Sequence, residues 1–367
     1  MTRPIRRTAS AVALAAAIGL LATACSATPG AGSSGSSSGG SGSGGLSAKV
    51  AFLMPDEAST RYEQQDSPLF KARMKELCPD CQVLYQNASG DPAKQQQQAD
   101  SVITQGVKAI VLDAVDTKAA AAIVQKAQAQ QIKVITYDRP ITDKPADFYV
   151  SFDNEGIGKL IAQSLVDKVK AEKGTAILQI NGSPTDDAAK LIKKGVHEVV
   201  DSSGLKLLAE YDTPEWDPQK AQDWASGQIT RFKDQVDGVV AANDGTGSGA
   251  IAAFKSANVS PVPPVTGNDA EIAAVQRIVA GDQYNTISKP IKIVAGAAAD
   301  ATYALLTGKK PKQTAELFNT PSQLFTPKVV TQDTVKELIF DSGVYKASEV
   351  CTGSYTAACS KLGIKKS

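Results

Sequence analysis

The stretch YDRPITDKPADFYVSFDNEGIG, residues 137–158, contains two β-rich runs a few residues apart, and each ends in hydrogen-bonding side chains. Tyr137 is followed by Asp138 and Arg139, and FYVSF by Asp153 and Asn154. Short apolar runs bounded by turn residues read as buried strands. Strands buried on both faces belong to parallel sheets covered by helices. In such sheets ligands bind outside the carboxyl ends of the strands. The stretch therefore predicts a fold class and, at its polar residues, a place for a site.

Upstream, KVAFLM (49–54), VLYQNA (83–88), AIVLDAV (109–115) and VITYD (134–138) are strand-like. FKARMKEL, AKQQQQADSVITQG and KAAAAIVQKAQAQ lie between them with apolar residues at helical spacing. Downstream a second series follows: TAILQIN, LLAEYD, GVVAAND, PPVTGND and YNTISKP, separated by AKLIKKGVHEVVDSSG, PQKAQDWASGQITRFK and AEIAAVQRIVAG. Alternation of this kind predicts α/β architecture with mostly parallel sheets and helices on both faces. With 367 residues the chain has room for two doubly wound lobes, joined near residue 153.

Composition narrows the function classes. Lys+Arg 39 against Asp+Glu 38 gives a formal charge of +1, with no electrostatic footprint for nucleic acid or an acidic membrane surface. One histidine, His197, sits inside a helical run away from any strand end, and neither a GxSxG elbow nor a Walker lysine loop occurs. A His-dependent hydrolase is disfavoured. DGTGSGA (244–250) has glycines but not at GxGxxG spacing, and it reads as a tight strand-to-helix turn rather than a nucleotide site.

Polar residues recur at strand ends in both series: PDEASTRYEQQD (55–66), Asp138-Arg139, Asp153-Asn154, GSPTDD (182–187), TPEWD (213–217), Asn243-Asp244, Asn268-Asp269 and Lys289. Taken singly, Asp153 or Asn243 reads as a helix cap, Arg139 as an ion-pair partner and Trp216 as core. Recurrence at most strand ends points instead to one shared cleft. Each hydroxyl of a neutral polyol both donates and accepts, so carboxylates and amides beside Arg and Lys match a sugar. Trp216 or Tyr62 would cover the apolar face of a pyranose ring. Paired carboxylates also permit a glycosidase, but acids held beside Arg139 and amides stay ionised and suit binding better than proton donation.

The termini are separate objects. Arg3, Arg6 and Arg7 precede the apolar AVALAAAIGLLATA (11–24), too short for a comfortable membrane span, so residues 1–25 read as an export signal. LLATAC resembles the bacterial lipoprotein signal, in which the cysteine, here Cys25, becomes the lipidated first residue; the alternative is an ordinary cleaved signal. Residues 26–46 are a Gly/Ser linker, spanning about 25 Å as a flexible coil. Four cysteines remain in two close pairs, Cys78 with Cys81 and Cys351 with Cys359. In an exported protein these read as structural disulfides. A redox role for CPDC needs its first cysteine at a helix N-terminus, and this one follows a helical run; zinc-finger spacing is absent.

PDEASTRYEQQD, TYDRPI, DFYVSFDNEGIGKL, NGSPTDDAAKL, EWDPQKAQ, AANDGTGSGAI, GNDAEIAAVQRIVAGDQ and ISKPI together resemble the periplasmic sugar-binding proteins of ABC importers, the xylose binders most closely and a multi-sugar binder in the same order. The resemblance covers about residues 49–349. It implies two lobes joined by a three-strand hinge and closing on one monosaccharide. The lobes would be 47–153 plus 290–325 and 154–289 plus 326–349, with 350–367 a disulfide-closed tail. KIVAGAAADATYALLTGKK (292–310) would return to the first lobe as a helix, and SQLFTPKVVTQDTVKELIFDSG (322–343) would be a last strand and helix completing the second. By position, the sugar contacts would be Arg61, Tyr62, Asp138, Arg139, Asn154, Trp216, Asn243, Asp269 and Lys289. Tyr62 stands where the xylose binders have tryptophan, and Asn268 replaces a glutamine. The implied protein is a monomer on the outer face of the cell membrane, reaching the membrane only through a lipid on Cys25. It needs no cofactor or metal and passes sugar to permease subunits, or presents it to a surface receptor as a sensor.

Overall fold

A computed structural model describes residues 46–365. The export signal, Cys25 and the linker up to residue 45 lie outside the described residues. The first sheet is built from β1 (Lys49–Met54), β2 (Gln82–Asn87), β3 (Ala109–Leu112), β4 (Lys133–Tyr137) and β5 (Phe148–Phe152). Three helices connect these strands: α1 (Ser67–Leu77), α2 (Pro92–Thr104) and α3 (Ala121–Ala129). The chain then enters α4 (Asn154–Ala171), β6 (Ala176–Asn181), α5 (Asp187–Ser203), β7 (Lys206–Asp212), α6 (Pro218–Phe232), β8 (Gly238–Ala241), α7 (Asp244–Ser256), α8 (Ile272–Ala280) and β9 (Asn285–Ser288). It closes with α9 (Ile291–Leu306), β10 (Ala315–Leu317), β11 (Thr320–Phe325), β12 (Lys328–Thr331), α10 (Ala347–Val350) and α11 (Tyr355–Lys361).

Seven strands form the first sheet in the order β10-β11-β5-β4-β3-β1-β2. All its pairings are parallel except the β10–β11 hairpin, whose two-residue turn holds Phe318 and Asn319 at φ 53° and 57°, as primed hairpin turns require. In the second half β7-β6-β8 pair in parallel and β12 pairs antiparallel to β9. The chain thus passes between the two halves three times: from β5 into α4, which packs on α5; from β9 into α9, which packs on α1; and from β11 into β12.

Two expectations fail for identifiable reasons. PPVTGND makes an isolated bridge between Val265 and Val239 instead of a regular strand. Pro261, Pro263 and Pro264 precede or occupy it, and proline has no N–H to give to a ladder. The SQLF–KVVT region is two strands, β11 in the seven-stranded sheet and β12 paired with β9 in a two-stranded one, not one strand of the second half. The glycines of DGTGSGA lie within the first turns of α7, at the strand-to-helix junction expected for them. A Cβ at Gly249 would sit 2.4 Å from the Pro218 carbonyl oxygen, so this glycine sets the approach of α7 to α6.

The apolar side chains explain the layers. Val50, Phe52 and Met54 on one face of β1 join α1, α9, α4 and α5 in one continuous core, while Ala51 and Leu53 on the other face meet α2 and α3. A third cluster fills the space between the second sheet, α6 and α7. A fourth gathers α8, β12 and the tail, including Tyr345, Val350, Cys351, Cys359 and Ile364. Both cysteine pairs are bonded, with Cα separations of 5.3 Å for Cys78–Cys81 and 5.9 Å for Cys351–Cys359.

Candidate functional site

The carboxyl ends of β1, β3, β4, β6, β8 and β9 converge, and their following residues form two charged centres. Arg61 holds Asp66 with both Nε (3.1 Å) and Nη2 (2.9 Å). Its Nη1 reaches Asp138 at 3.2 Å and, from the other half of the molecule, Asp269 at 3.4 Å. Lys289 Nζ lies 2.7 Å from Asp269 and 3.9 Å from Asp138. Tyr137 donates its hydroxyl to Asp66 in a short contact.

Arg139 organises the second centre. Its Nη2 donates to Asp56 (2.8 Å) and to the Tyr62 hydroxyl (3.2 Å), and its Nη1 to the Ala114 carbonyl (2.9 Å). Its Nε lies 3.2 Å from Asp186, to which the Trp216 indole N–H also donates at 3.0 Å. Asp113 is 3.4 Å from the same Nε, yet neither of its oxygens accepts a hydrogen bond. It is close in charge and misaligned as a bond.

These surroundings sort the groups electrostatically. Burial alone would push the Asp138 carboxyl up, but Arg61, Lys289 and Arg139 more than reverse this and hold it below the usual range. Burial pushes Asp113 well up, and Arg139 pulls back only part of that rise. Asp186 is raised for the same reason and with the same opposing partner, so the expectation that acids beside Arg139 are held ionised fails for these two because burial outweighs the guanidinium. Burial also raises the Tyr62 phenol far above its usual value, against the pull of Arg139, so it remains a neutral hydrogen-bonding group.

Three residues of the site carry backbone strain. Asp138 (φ 59°), Trp216 (58°) and Asp269 (101°) all occupy the left-handed region, at about 1–3 kcal/mol each. The turned carbonyl of Asp138 is secured by three donors: Tyr149 Oη (2.8 Å), Ser151 Oγ (2.9 Å) and Asn154 Nδ2 (3.3 Å). Trp216 lies flat against Gly182, where a Cβ would fall 2.1 Å from the ring. The expected capping duties are also real. Asp153 caps α4 through the Gly156 amide, and Asn243 caps α7 in a reciprocal box with Thr246.

All nine residues singled out from the sequence line one narrow cavity: Arg61, Tyr62, Asp138, Arg139, Asn154, Trp216, Asn243, Asp269 and Lys289. Its space open to water-sized molecules is about 30 Å³. A second cavity shares Arg139 and Trp216 with it and is walled by Pro92, Pro184 and Pro214. Sequence reasoning missed Asp56, Asp66, Asp113 and Asp186. The first two lie in PDEASTRYEQQD and the last in GSPTDD, where strand-end position was already a signal. Asp113 directly follows the buried run AIVL, and an acid at that junction is the only mark it carries. His197 stands outside the cavity, between Asp201 and Glu210. Among the described residues no cluster of His, Cys, Asp and Glu is placed to hold a metal, and no helix is long and apolar enough to cross a membrane.

The sequence profile of the periplasmic binding protein domain matches residues 50–310. The chain belongs to this family. It is 34% identical to the D-xylose-binding periplasmic protein of Escherichia coli K12 over 310 residues, which cover 82% of this chain and 92% of that protein. It is 30% identical to the multiple sugar-binding periplasmic receptor ChvE of Rhizobium radiobacter, over 82% of this chain and 92% of the receptor. Among solved structures, it superposes with a TM-score of 0.75 on an ABC transporter solute-binding protein from Clostridium phytofermentans with bound β-D-glucose. That match has 27% identity and covers 82% of this chain and 99% of the other. This periplasmic binding protein is therefore close in sequence to the xylose-binding branch. Its relatives are solute-binding proteins, and a binding role without catalysis accords with them.

Proposed function

We propose that this chain captures a single monosaccharide, D-xylose or a related aldose, between two closing lobes and delivers it to the membrane subunits of an ABC importer. The observation that carries the reading is one cavity lined from both halves by carboxylates, guanidinium, ammonium, amides and an indole ring. Such a lining offers each sugar hydroxyl a donor and an acceptor, with an aromatic surface for the ring's C–H face. The lobes would be 47–153 plus 290–325 and 154–289 plus 326–349, turning on the three crossings. Contacts made fully only when the lobes meet give the sugar a higher affinity for the closed state, and that difference drives closure. In this reading Asp138, Asp269, Lys289 and Arg61 bond hydroxyls, Arg139 and Asn243 add donors, Asn154 steadies the Asp138 loop, and Trp216 and Tyr62 flank the ring.

Xylose is favoured by the D-xylose-binding relatives, and a wider range by the multi-sugar receptor. A lipid on Cys25 would anchor a monomeric body at the outer face of the cell membrane. A thermal-shift screen of the purified body with xylose, glucose, galactose, arabinose and xylitol tests the reading. At least one aldose should raise the melting temperature in a concentration-dependent way. A flat response to every aldose refutes it.

A further inference from the structure

The C-terminal tail does more than finish the chain. It packs its own small core on α8, where Val350, Cys351, Cys359 and Ile364 are buried with Val275, Ile278 and Val279. Gln276 of α8 fixes it by donating to the Val350 carbonyl at 3.0 Å. At the root of this module stands Tyr345, 7% exposed, and its hydroxyl accepts a hydrogen bond from Gln65 Nε2 at 2.6 Å.

Gln65 belongs to the other half of the molecule, in the irregular helical turn Tyr62–Asp66 that follows β1. The same segment is held a second time. The Thr60 amide donates to Glu271 Oε1 at 3.0 Å, and Glu271 is the residue immediately before α8. Arg61 and Tyr62, which line the cavity, lie between the two held points. Glu271 is itself fixed, its backbone amide bonding Asp244 at 2.9 Å.

We propose that the disulfide-closed tail and α8 form a clasp, with Tyr345 and Glu271 as positioning residues that grip segment 60–65 across the cleft, set Arg61 and Tyr62, and slow reopening. The inference rests on the sugar-binding reading above, but the clasp contacts use no residue that bonds the sugar in that reading. They form only when the halves meet, so they stabilise the closed state and lower the escape rate of whatever it holds.

Stopped-flow measurement of sugar binding to the purified body tests this with Tyr345→Phe, Gln65→Ala and the double variant. Each single variant should release sugar about fivefold faster, the worth of one neutral hydrogen bond, with association unchanged. The double variant should be no faster than either single one, because both remove the same bond. Replacing Cys351 and Cys359 together by serine should speed release as well, provided the variant folds. Unchanged release, or effects that add, overturns the clasp. Binding by the parent reports separately on the sugar reading. If the parent binds no aldose, the clasp is read from the distance between spin labels at exposed Gln130 and Ser202, one on each half. Tyr345→Phe should then lengthen that distance in the sugar-free protein, and an unchanged distance overturns the proposal.

Discussion

The protein contains two clusters of carboxylates facing cations that look alike in composition and differ in almost everything else. In the cleft, Arg61 and Asp66 have side chains 3% and 0% exposed, and Arg139 and Asp113 are 6% and 0% exposed. On the outer face of the second half, Lys193 bridges Glu210 (2.8 Å) and Asp212 (2.9 Å), with His197 3.1 Å from Glu210. There the side chains are 25–41% exposed. The outer cluster lies along β7 and α5, whereas the cleft cluster sits beyond strand ends and between the two halves, with Asp138 and Asp269 on left-handed backbone. Exposed pairs contribute about 0–1 kcal/mol. Buried ones carry a large desolvation cost that their partners must offset, so losing one partner is severe. Burial and place in the fold, rather than residue type, separate a site from a solvated face.

The sharpest way to break this contrast is to remove the one cation shared by three buried acids. Arg139→Met leaves Asp56, Asp113 and Asp186 facing one another. Urea unfolding should show a loss of about 3–5 kcal/mol. A loss below about 1 kcal/mol would place the cleft cluster with the outer one.

Trp216→Ala should act on binding more than on folding. It removes ring cover and the indole N–H that Asp186 accepts, and should weaken the best aldose about tenfold by calorimetry, within the range for an aromatic contact and a charge-assisted bond. Equal affinity would remove Trp216 from the site.

The acids behind the clasp sharpen the contrast further through pH. Burial, with Asp244 and Asp269 nearby, pushes Glu271 up to about 8. Burial and Asp269 push Asp244 up to about 7. Both folded values exceed the unfolded ones, near pH 4, so the folded state holds more protons across that interval. Stability is then full below about pH 4 for these two groups and is lost as pH rises toward 8. The melting temperature should fall from pH 5 to pH 8, and Glu271→Gln, which keeps an acceptor for the Thr60 amide, should flatten part of the decline. An identical slope in the variant contradicts the burial argument.

The smallest effect belongs to the outer face. Burial lowers the His197 imidazole, but Glu210 and Asp201 outweigh it and the net shift is upward. His197→Ala should leave sugar affinity unchanged and shift stability by less than about 1 kcal/mol. A clear loss of affinity would mean that the two clusters are coupled.

Much of the architecture was legible because both its signals are local. Period and run length marked β1, β4 and β5, and an Asp-Arg or Asp-Asn pair directly after a strand needs no long-range knowledge to be noticed. PPVTGND misled because its apolar residues read as a strand while its prolines, which decide the pairing, removed the donors. The partners of Arg61 and Arg139 were less legible, since the choice among Asp56, Asp66, Asp113 and Asp186 depends on side-chain direction across several strands. The tail was opaque for the same reason. Nothing near Tyr345 in sequence announces Gln65, 280 positions away.

The central claim is that groups from both halves close on one sugar, and Asp269 tests it most directly because it faces Arg61 across the cleft and Lys289 beside it. Calorimetric titration of the parent and of Asp269→Ala with xylose, glucose, galactose and arabinose is the decisive measurement. The account predicts one-to-one binding of at least one aldose by the parent. It predicts a loss of about ten- to a hundredfold in the variant, the worth of one charge-assisted contact. Equal binding by parent and variant, or no heat with any of the four sugars, would contradict it.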